Sequence, residues 1–191
     1  MSAEEHEQRK ASSYKLLLWF AMISMVMMFA GITSAFLVSS SRKDWLQDFS
    51  MPQAFIFSTL TVILSSFTFW LARNSIKKGS ATETGRYLLI TLLLGIAFVL
   101  LQFLGFKQII EMGYFFTGPE STVTTSFIYV VVVLHLVHLF GGLIALLVVI
   151  YNHFKQKYNA TQFLGIELAE LFWHFLGVLW ILLFLFFYFY G

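Results

Sequence analysis

Only three side chains inside the five longest apolar segments of this sequence are acidic, basic or histidine, and all three are histidines: His135, His138 and His174. A polar group in hydrocarbon is costly, which suggests a purpose for each. His135 and His138 lie one helical turn apart and share a helix face, as a metal or haem site would require. A membrane di-iron centre needs more ligands, and axial haem ligation usually pairs histidines from two helices. We therefore favour neutral histidines that hydrogen-bond between helices, with metal or haem ligation as the alternative.

An acidic stripe leads into the last apolar segment. Glu167, Glu170 and His174 follow at i, i+3 and i+7, so they lie on one face of a helix. Three interpretations stay open. The stripe could be a path for protons, or it could bind a lipid headgroup or a partner helix. It could also be a solvated helix start, where acidic residues interact favourably with the helix dipole.

Two further side chains need a polar partner or a membrane boundary. Gln102 lies deep in the third apolar segment, so we expect its amide to face another helix. Trp173 lies near the start of the last segment, where an indole ring suits the headgroup level and would anchor the helix. The candidate lipid-binding or interhelix contacts are Gln102, His135, His138, Glu167, Glu170, Trp173 and His174. We predict no catalytic, cofactor-binding or metal-ligating residue.

The amino-acid composition indicates that apolar elements position these side chains. Hydrophobic residues make up 59% of the 191 residues and charged residues 12%, whereas soluble domains carry roughly 25% charged residues. The absence of cysteine excludes disulfides and iron–sulfur ligation by cysteine. The net charge of +2 is spread along the loops without a basic block, so nothing indicates a nucleic-acid partner.

Five segments lack Asp, Glu, Lys and Arg and are long enough, at 1.5 Å per residue, to cross a hydrocarbon core of about 30 Å. They are residues 16–39, 52–72, 87–106, 127–151 and 171–190. We predict an all-α fold: a polytopic membrane bundle of five transmembrane helices in which residues 1–191 form a single domain.

The basic residues of the short loops predict the orientation of the bundle. The N-terminal stretch, the loop 73–86 and the loop 152–170 hold nine of the twelve Lys and Arg residues, and the other side holds Arg42, Lys43 and Lys107. Cytoplasmic loops carry the excess of positive charge. The N-terminus should therefore lie in the cytoplasm and Gly191 outside.

Motifs along the whole chain carry a resemblance to a known family. The last segment reads FWHFLGVLW over residues 172–180, and the chain closes with YFYG. Earlier motifs are LGIAFVLLQ over 94–102, HLVH over 135–138 with Gly142 four residues on, and GIE over 165–167. In order and spacing these motifs resemble subunit III of haem-copper oxidases, the cytochrome c oxidase subunit III family, in its short bacterial form with five spans.

The resemblance implies a subunit that binds no haem or copper itself. It would pack against the catalytic subunit I, with subunit II and possibly subunit IV as further partners. It would also hold phospholipids between its helices and support proton uptake. The haem and copper of the partner subunits would reduce O₂ to water with electrons from cytochrome c. The expected location is a bacterial inner membrane, where a respiratory supercomplex is a possible larger assembly.

Three positions depart from the pattern of the resembled family. Met25, Gly105 and Gly177 stand where many members of that family carry an acidic residue. A proton-buffering role assigned to those carboxylates therefore does not transfer to this chain. Glu167 is the one acidic residue that matches the family motifs.

Two alternatives to this assignment remain. The nearer is the same architecture in a quinol oxidase or as an accessory protein of a nitric oxide reductase. The farther is a stand-alone b-type cytochrome or a small transporter that uses His135 and His138.

Overall fold

A computed structural model of the protein describes residues 3–41, 45, 51–116, 118 and 122–190. Five α-helices follow one another: α1 (Ala3–Ser39), α2 (Gln53–Lys77), α3 (Ala81–Glu111), α4 (Val123–Phe154) and α5 (Leu164–Tyr190). Within these residues all regular structure is helical, and all five helices are long and apolar enough to cross a membrane. The predicted fold class is confirmed. Arg42, Lys43 and Gly191, which enter the predicted orientation, lie outside the described residues, and the orientation stays a prediction.

The helices extend beyond the apolar segments that predicted them. The third segment ran from 87 to 106, whereas α3 continues into charged sequence at both ends. There Arg86 pairs with Glu83 at 3.1 Å, and Lys107 pairs with Glu111 at 3.6 Å. Because i,i+3 and i,i+4 ion pairs stabilise a helix in water, the backbone stays helical past the hydrocarbon boundary.

Local sequence signals set several of the helix ends. Pro52 precedes α2, and Gly79 with a φ of 78° turns the chain between α2 and α3. Thr122 begins α4 with a capping box, in which its side chain and that of Thr125 each bond the other's backbone N–H. The turn at Gly79 makes α2 and α3 an antiparallel pair.

The packing arranges four helices as a bundle with the fifth at its side. The neighbours around the bundle are α2 with α3, α3 with α4, α4 with α5, and α5 with α2, while α1 contacts α4 and α5. Only a small share of α1 is buried, and Phe29 and Phe36 are among its few buried side chains. We call the end where α1 begins the N-terminal end of the bundle, and the other the opposite end.

Large apolar side chains cover the outside of the bundle. Met27 is 70% exposed, Leu93 67% and Ile144 63%. Side chains of this kind in water would form an apolar patch far larger than a soluble monomer tolerates. The surface therefore requires lipid or an apolar partner, which agrees with the predicted membrane location of the helices.

Candidate functional site

The predicted acidic stripe lies at the N-terminal end of the bundle, where α1, α2 and α5 meet. Arg73 on α2 donates a hydrogen bond from Nη2 to Oε1 of Glu167 at 2.8 Å. Lys15 on α1 places its Nζ 2.8 Å from Oε2 of the same carboxylate. The Arg73 Nε lies 3.2 Å from Oε2 of Glu170, and His174 Nε2 lies 3.4 Å from Oε1 of Glu170. One polar network thus joins three helices.

Glu170 is the most buried member of this network. The side chain of Lys15 is 47% exposed and that of Arg73 29%, whereas that of Glu170 is 4% exposed. The contact from Arg73 Nε to Glu170 has the distance of an ion pair without the geometry of a hydrogen bond. A buried carboxylate requires a cation nearby, so Arg73 is the residue that makes Glu170 tolerable in this position.

A second set of polar contacts fastens α2 to α3 and α5. Gln102 is fully buried on α3 and donates from Nε2 to Oγ of Ser58 at 2.9 Å. Trp173 on α5 donates from its indole nitrogen to Oγ of Ser65 at 3.0 Å. Trp180, seven residues further along α5, donates from its indole nitrogen to Oγ1 of Thr59 at 3.0 Å. The hydroxyls of α2 therefore accept hydrogen bonds from two neighbouring helices.

The interpretation of Trp173 as an anchor at the membrane surface is wrong. Its side chain is 2% exposed and lies inside the bundle, where its ring contacts Gly95 of α3. A Cβ at Gly95 would lie 2.7 Å from the indole, so only glycine leaves room for this ring. The hydrogen bond to Ser65 satisfies the indole N–H in place of water, as a buried tryptophan requires.

His135 and His138 of α4 point into different helix interfaces. His135 is 1% exposed, and its ring packs against Phe98 of α3 and Trp180 of α5. The ring of His138 instead contacts the edge of Phe29 on α1, and its Nδ1 lies 2.7 Å from the carbonyl oxygen of Leu134. The sequence had led us to expect hydrogen bonds between helices. In the described part of the chain, neither ring forms a hydrogen bond with a side chain of another helix.

Ring contacts fill the space around His135 and leave its Nδ1 without a hydrogen-bond partner among the described residues. Across the whole of that described part, no group of three or more His, Cys, Asp or Glu side chains is arranged to hold a metal ion.

Gly105 and Gly177, which the resemblance aligns with acidic residues, have opposite surroundings. A Cβ at Gly105 would lie 2.6 Å from a ring carbon of Phe55, which is buried. A Cβ at Gly177 would meet only Ser66 Oγ at 3.3 Å and Val62 at 3.4 Å, beside a groove of about 260 Å³ that His174 also lines. Phe55 therefore occupies the space that a side chain at position 105 would need, whereas space for a side chain remains at position 177.

Sequence reasoning missed the cations and the Trp180 indole that complete these contacts. Lys15 and Arg73 served only to predict orientation, and Trp180 was named only as part of a motif. Lys15, Arg73 and the two glutamates were all assigned to the same membrane side, so charge complementarity at that side was an available signal. The pairing of particular tryptophans with particular hydroxyls had no counterpart in the sequence, because those residues lie 108 and 121 positions apart.

The geometry is that of a polytopic helical membrane protein in which several buried polar side chains join neighbouring helices. A family model described as "Cytochrome c oxidase subunit III" matches residues 3–191. The chain belongs to this family.

Proteins similar in sequence to this chain support the family assignment. The chain is 30% identical over 167 residues to cytochrome c oxidase subunit 3 of Thermostichus vulcanus, covering 85% of this chain and 80% of the relative. It is 28% identical over 173 residues to cytochrome bo(3) ubiquinol oxidase subunit 3 of Pseudomonas aeruginosa, covering 87% and 79%. A probable cytochrome c oxidase subunit 3 of Mycobacterium leprae is 30% identical over 170 residues, covering 87% and 82%. The relatives thus include subunits of both cytochrome c and quinol oxidases.

Proposed function

We propose that this chain is a non-redox accessory subunit III of a bacterial haem-copper terminal oxidase in the inner membrane. It packs as one unit against the catalytic subunit I, with subunit II and, in some assemblies, subunit IV as further partners. The observation that carries this proposal is the family match over residues 3–191. The haem and copper that reduce O₂ belong to the partner subunits.

The arrangement of the polar side chains supports a structural role. At the N-terminal end Arg73 pairs with Glu167 and Glu170, and the buried amide and indoles hydrogen-bond to hydroxyls of α2. Side chains committed to partners within the chain are poorly placed to bind a redox centre. They are well placed to keep five helices in a fixed arrangement against a neighbour.

The subunit binds phospholipids and supports proton uptake by its partner. The exposed apolar surface, the grooves beside α1 and the basic residues of the N-terminal end support the lipid role, since cationic residues at a membrane edge attract anionic headgroups. The acidic network at the same end supports an influence on protons, because the predicted orientation puts its carboxylates at the cytoplasmic side, from which the catalytic subunit would take protons up.

Affinity purification of the tagged full chain in mild detergent tests the assignment. We expect a large haem-containing subunit to accompany it, with the haem spectrum assigned to that subunit. Removal of the chain from the complex should leave initial O₂ reduction intact and reduce sustained turnover. Recovery of the tagged chain without any haem-containing partner would contradict the proposal.

A quinol oxidase is the second candidate, because the ubiquinol oxidase subunit of Pseudomonas aeruginosa matches over 87% of this chain. The purified complex distinguishes the two by its electron donor. We expect reduced cytochrome c to be oxidised, and oxidation of ubiquinol in its place would transfer the chain to the quinol oxidases. Catalysis of nitric oxide reduction would indicate an accessory role in that enzyme.

The stand-alone cytochrome or transporter receives little support from the histidine geometry. The His135 and His138 rings pack into different interfaces, and His135 lies between two aromatic rings. An absorption spectrum of the separated chain distinguishes these cases. A Soret band that disappears on His135→Ala or His138→Ala substitution would replace the accessory role with a cytochrome.

A further inference from the structure

Helices α2 and α5 leave a notch on the outer surface of the bundle. Gly177 of α5 has no side chain there, and a Cβ at that position would lie 3.3 Å from the hydroxyl of Ser66 on α2. His174, about one turn before Gly177, lines the same groove of about 260 Å³, together with the exposed Val178. We call this groove the α2–α5 notch. The glycine thus opens a space beside two polar side chains.

The α2–α5 notch lies within the thickness of the membrane. At 1.5 Å per residue, Ser66 is roughly 20 Å from the start of α2 and roughly 16 Å from its end. His174 is roughly 15 Å from the start of α5. Since the hydrocarbon core is about 30 Å thick, both side chains lie away from the headgroup level, and bulk water does not supply their hydrogen bonds.

Two polar atoms at the notch, Nδ1 of His174 and Oγ of Ser66, have no hydrogen-bond partner among the described residues. The Nε2 of His174 lies 3.4 Å from Oε1 of Glu170, so Nε2 carries the ring proton towards the carboxylate. Because Arg73 already supplies a cation beside Glu170, a second one is not needed there. In the neutral ring Nδ1 is then an acceptor, and the notch presents one acceptor and one hydroxyl.

The outer faces of α3 and α4 differ from this notch. In the middle of those helices the exposed side chains are apolar, as at Leu93, Val137 and Ile144. Lipid tails can cover such faces without loss. On the face formed by α2 and α5 they would leave two polar atoms unsatisfied, which is costly in hydrocarbon.

We propose that the α2–α5 notch receives the side-chain amide of an Asn or Gln from a transmembrane helix of a neighbouring subunit. The inference rests on the proposed function and adds to it the face and the chemistry of one contact. The amide N–H donates to Nδ1 of His174, and the hydroxyl of Ser66 donates to the amide oxygen. Gly177 lets the partner helix approach closely, as small residues do at helix interfaces in membranes.

Other polar side chains fit these two atoms less well. Once a partner covers the notch, a carboxylate there would bring a second negative charge towards Glu170 with no solvent to screen it. An ammonium or guanidinium group would add a charge within the hydrocarbon. A hydroxyl has its donor and its acceptor on one atom, whereas an amide carries them on separate atoms and can bond both His174 and Ser66. The hydrogen-bonding pattern therefore favours a neutral amide.

Photo-crosslinking in the intact complex identifies the occupant. A photoreactive benzoylphenylalanine replaces Val178, which is exposed and lines the notch, and mass spectrometry identifies the segment that is crosslinked on irradiation. Leu93, exposed on α3, is the control position. We expect Val178 to capture an apolar segment of a neighbouring subunit that carries Asn or Gln within one helical turn of the crosslink. The Leu93 position should not capture that segment.

Variants of the same complex test the hydroxyl and the space separately, through the apparent affinity of the chain for its partner in mild detergent. Ser66→Ala should weaken the association about threefold, typical of one hydrogen bond between membrane helices. Thr61→Ala is its control, because that exposed hydroxyl bonds the backbone of its own helix. Gly177→Leu fills the notch and should weaken association about tenfold, the product of two such bonds, whereas Gly141→Leu extends into open space and should not. The unfolding midpoint of each separated chain shows that the variants fold.

The outcomes separate this inference from the proposed function. Capture of lipid alone at Val178, or of a segment without Asn or Gln near the crosslink, would overturn the inference, as would unchanged association in both Ser66→Ala and Gly177→Leu. In those cases a haem-containing subunit that still accompanies the chain leaves the proposed function standing. Capture of an amide-bearing helix from a complex without haem would support the contact and count against the proposed function alone.

Discussion

The contact region between α2, α3 and α5 and the contact region between α1 and its neighbours are built in different ways. In the first, side-chain hydrogen bonds run from Gln102 to Ser58 and from Trp173 to Ser65. Glycines at 95 and 105 bring aromatic rings of the adjacent helices against the backbone. Close packing and specific hydrogen bonds are what drive helix association in lipid, where the hydrophobic effect gives no preference between helix and lipid contacts.

The α1 region relies on fewer and more local contacts. Phe36 meets Phe186 and Phe187 of α5 and Phe127 of α4 at the opposite end, and Phe29 meets His138 of α4. At the N-terminal end the Lys15 ion pair with Glu167 connects α1 to α5. The difference indicates that four helices form the more tightly connected unit, and that α1 is the helix flanked by open grooves.

The largest expected effect is at the tightly packed region. Gly105→Glu introduces the acid that the resemblance led us to expect, but its Cβ would lie 2.6 Å from the buried ring of Phe55. Overpacking of about 1–3 kcal/mol and the further cost of an unpaired buried carboxylate should prevent stable folding. The measurement is the thermal unfolding midpoint of the purified chain by tryptophan fluorescence, together with its yield. Gly141→Ala, in open space, is the control, and normal stability of Gly105→Glu would refute the packing explanation.

Trp173→Phe should have a smaller effect in the same region. It keeps most of the ring volume and removes the hydrogen bond to Ser65, so we expect a loss of about 1 kcal/mol in unfolding free energy, typical of such bonds in membranes. Denaturation of the purified chain by a graded detergent mixture measures it. If Ser65→Ala costs nothing further in a chain that already carries Trp173→Phe, the hydrogen bond is the cause. Full additivity of the two substitutions would mean that the two side chains act independently.

Lys15→Gln tests the weaker region. The lysine side chain is 47% exposed, so its ion pair with Glu167 should contribute only about 0.5 kcal/mol. We expect little change in the global unfolding midpoint but faster proteolysis at the start of α1, because this pair fastens the N-terminal end of that helix. Lys10→Gln, outside the ion pair, is the matched control. An unchanged proteolysis rate in Lys15→Gln would show that α1 is held by its aromatic contacts alone.

Gly177→Asp should have the smallest effect. This substitution also introduces an acid that the resemblance led us to expect, yet the Cβ would meet only ordinary or slightly tight contacts, and the adjacent groove has room for the carboxylate near His174. We expect the yield and unfolding midpoint of Gly177→Asp to equal those of the unsubstituted chain, in contrast to Gly105→Glu. Comparable damage at both positions would mean that charge, and not space, decides what each glycine tolerates.

Much of the architecture could be predicted from residue types alone. Runs without Asp, Glu, Lys or Arg indicated five helices, because an uncompensated charge is expensive in hydrocarbon and a backbone there must satisfy its own hydrogen bonds. The length of α3 was underestimated for a related reason. The apolar run reports the thickness of the membrane, whereas the helix itself continues as long as pairs such as Lys107 with Glu111 support it.

The candidate site was predicted less completely. The i, i+3, i+7 spacing correctly placed Glu167, Glu170 and His174 on one face of one helix, because helix periodicity is local. The same spacing contained nothing about Arg73, which comes from another helix and lies 94 residues before Glu167. The wrong interpretation of Trp173 has the same cause. A position near the end of an apolar segment does not reveal whether the ring faces lipid or a glycine on another helix.

The number of helices, their apolar surfaces and the motifs that identify the family follow from the amino-acid sequence, because these depend on residue type and short-range spacing. The pairing of cations with carboxylates, the exclusion of a side chain at Gly105 by Phe55, and the grooves between α1 and α4 follow from the folded arrangement. Those features depend on contacts between helices distant in the chain. In a membrane, many alternative packings present equally apolar surfaces, and close fit and hydrogen bonding select among them.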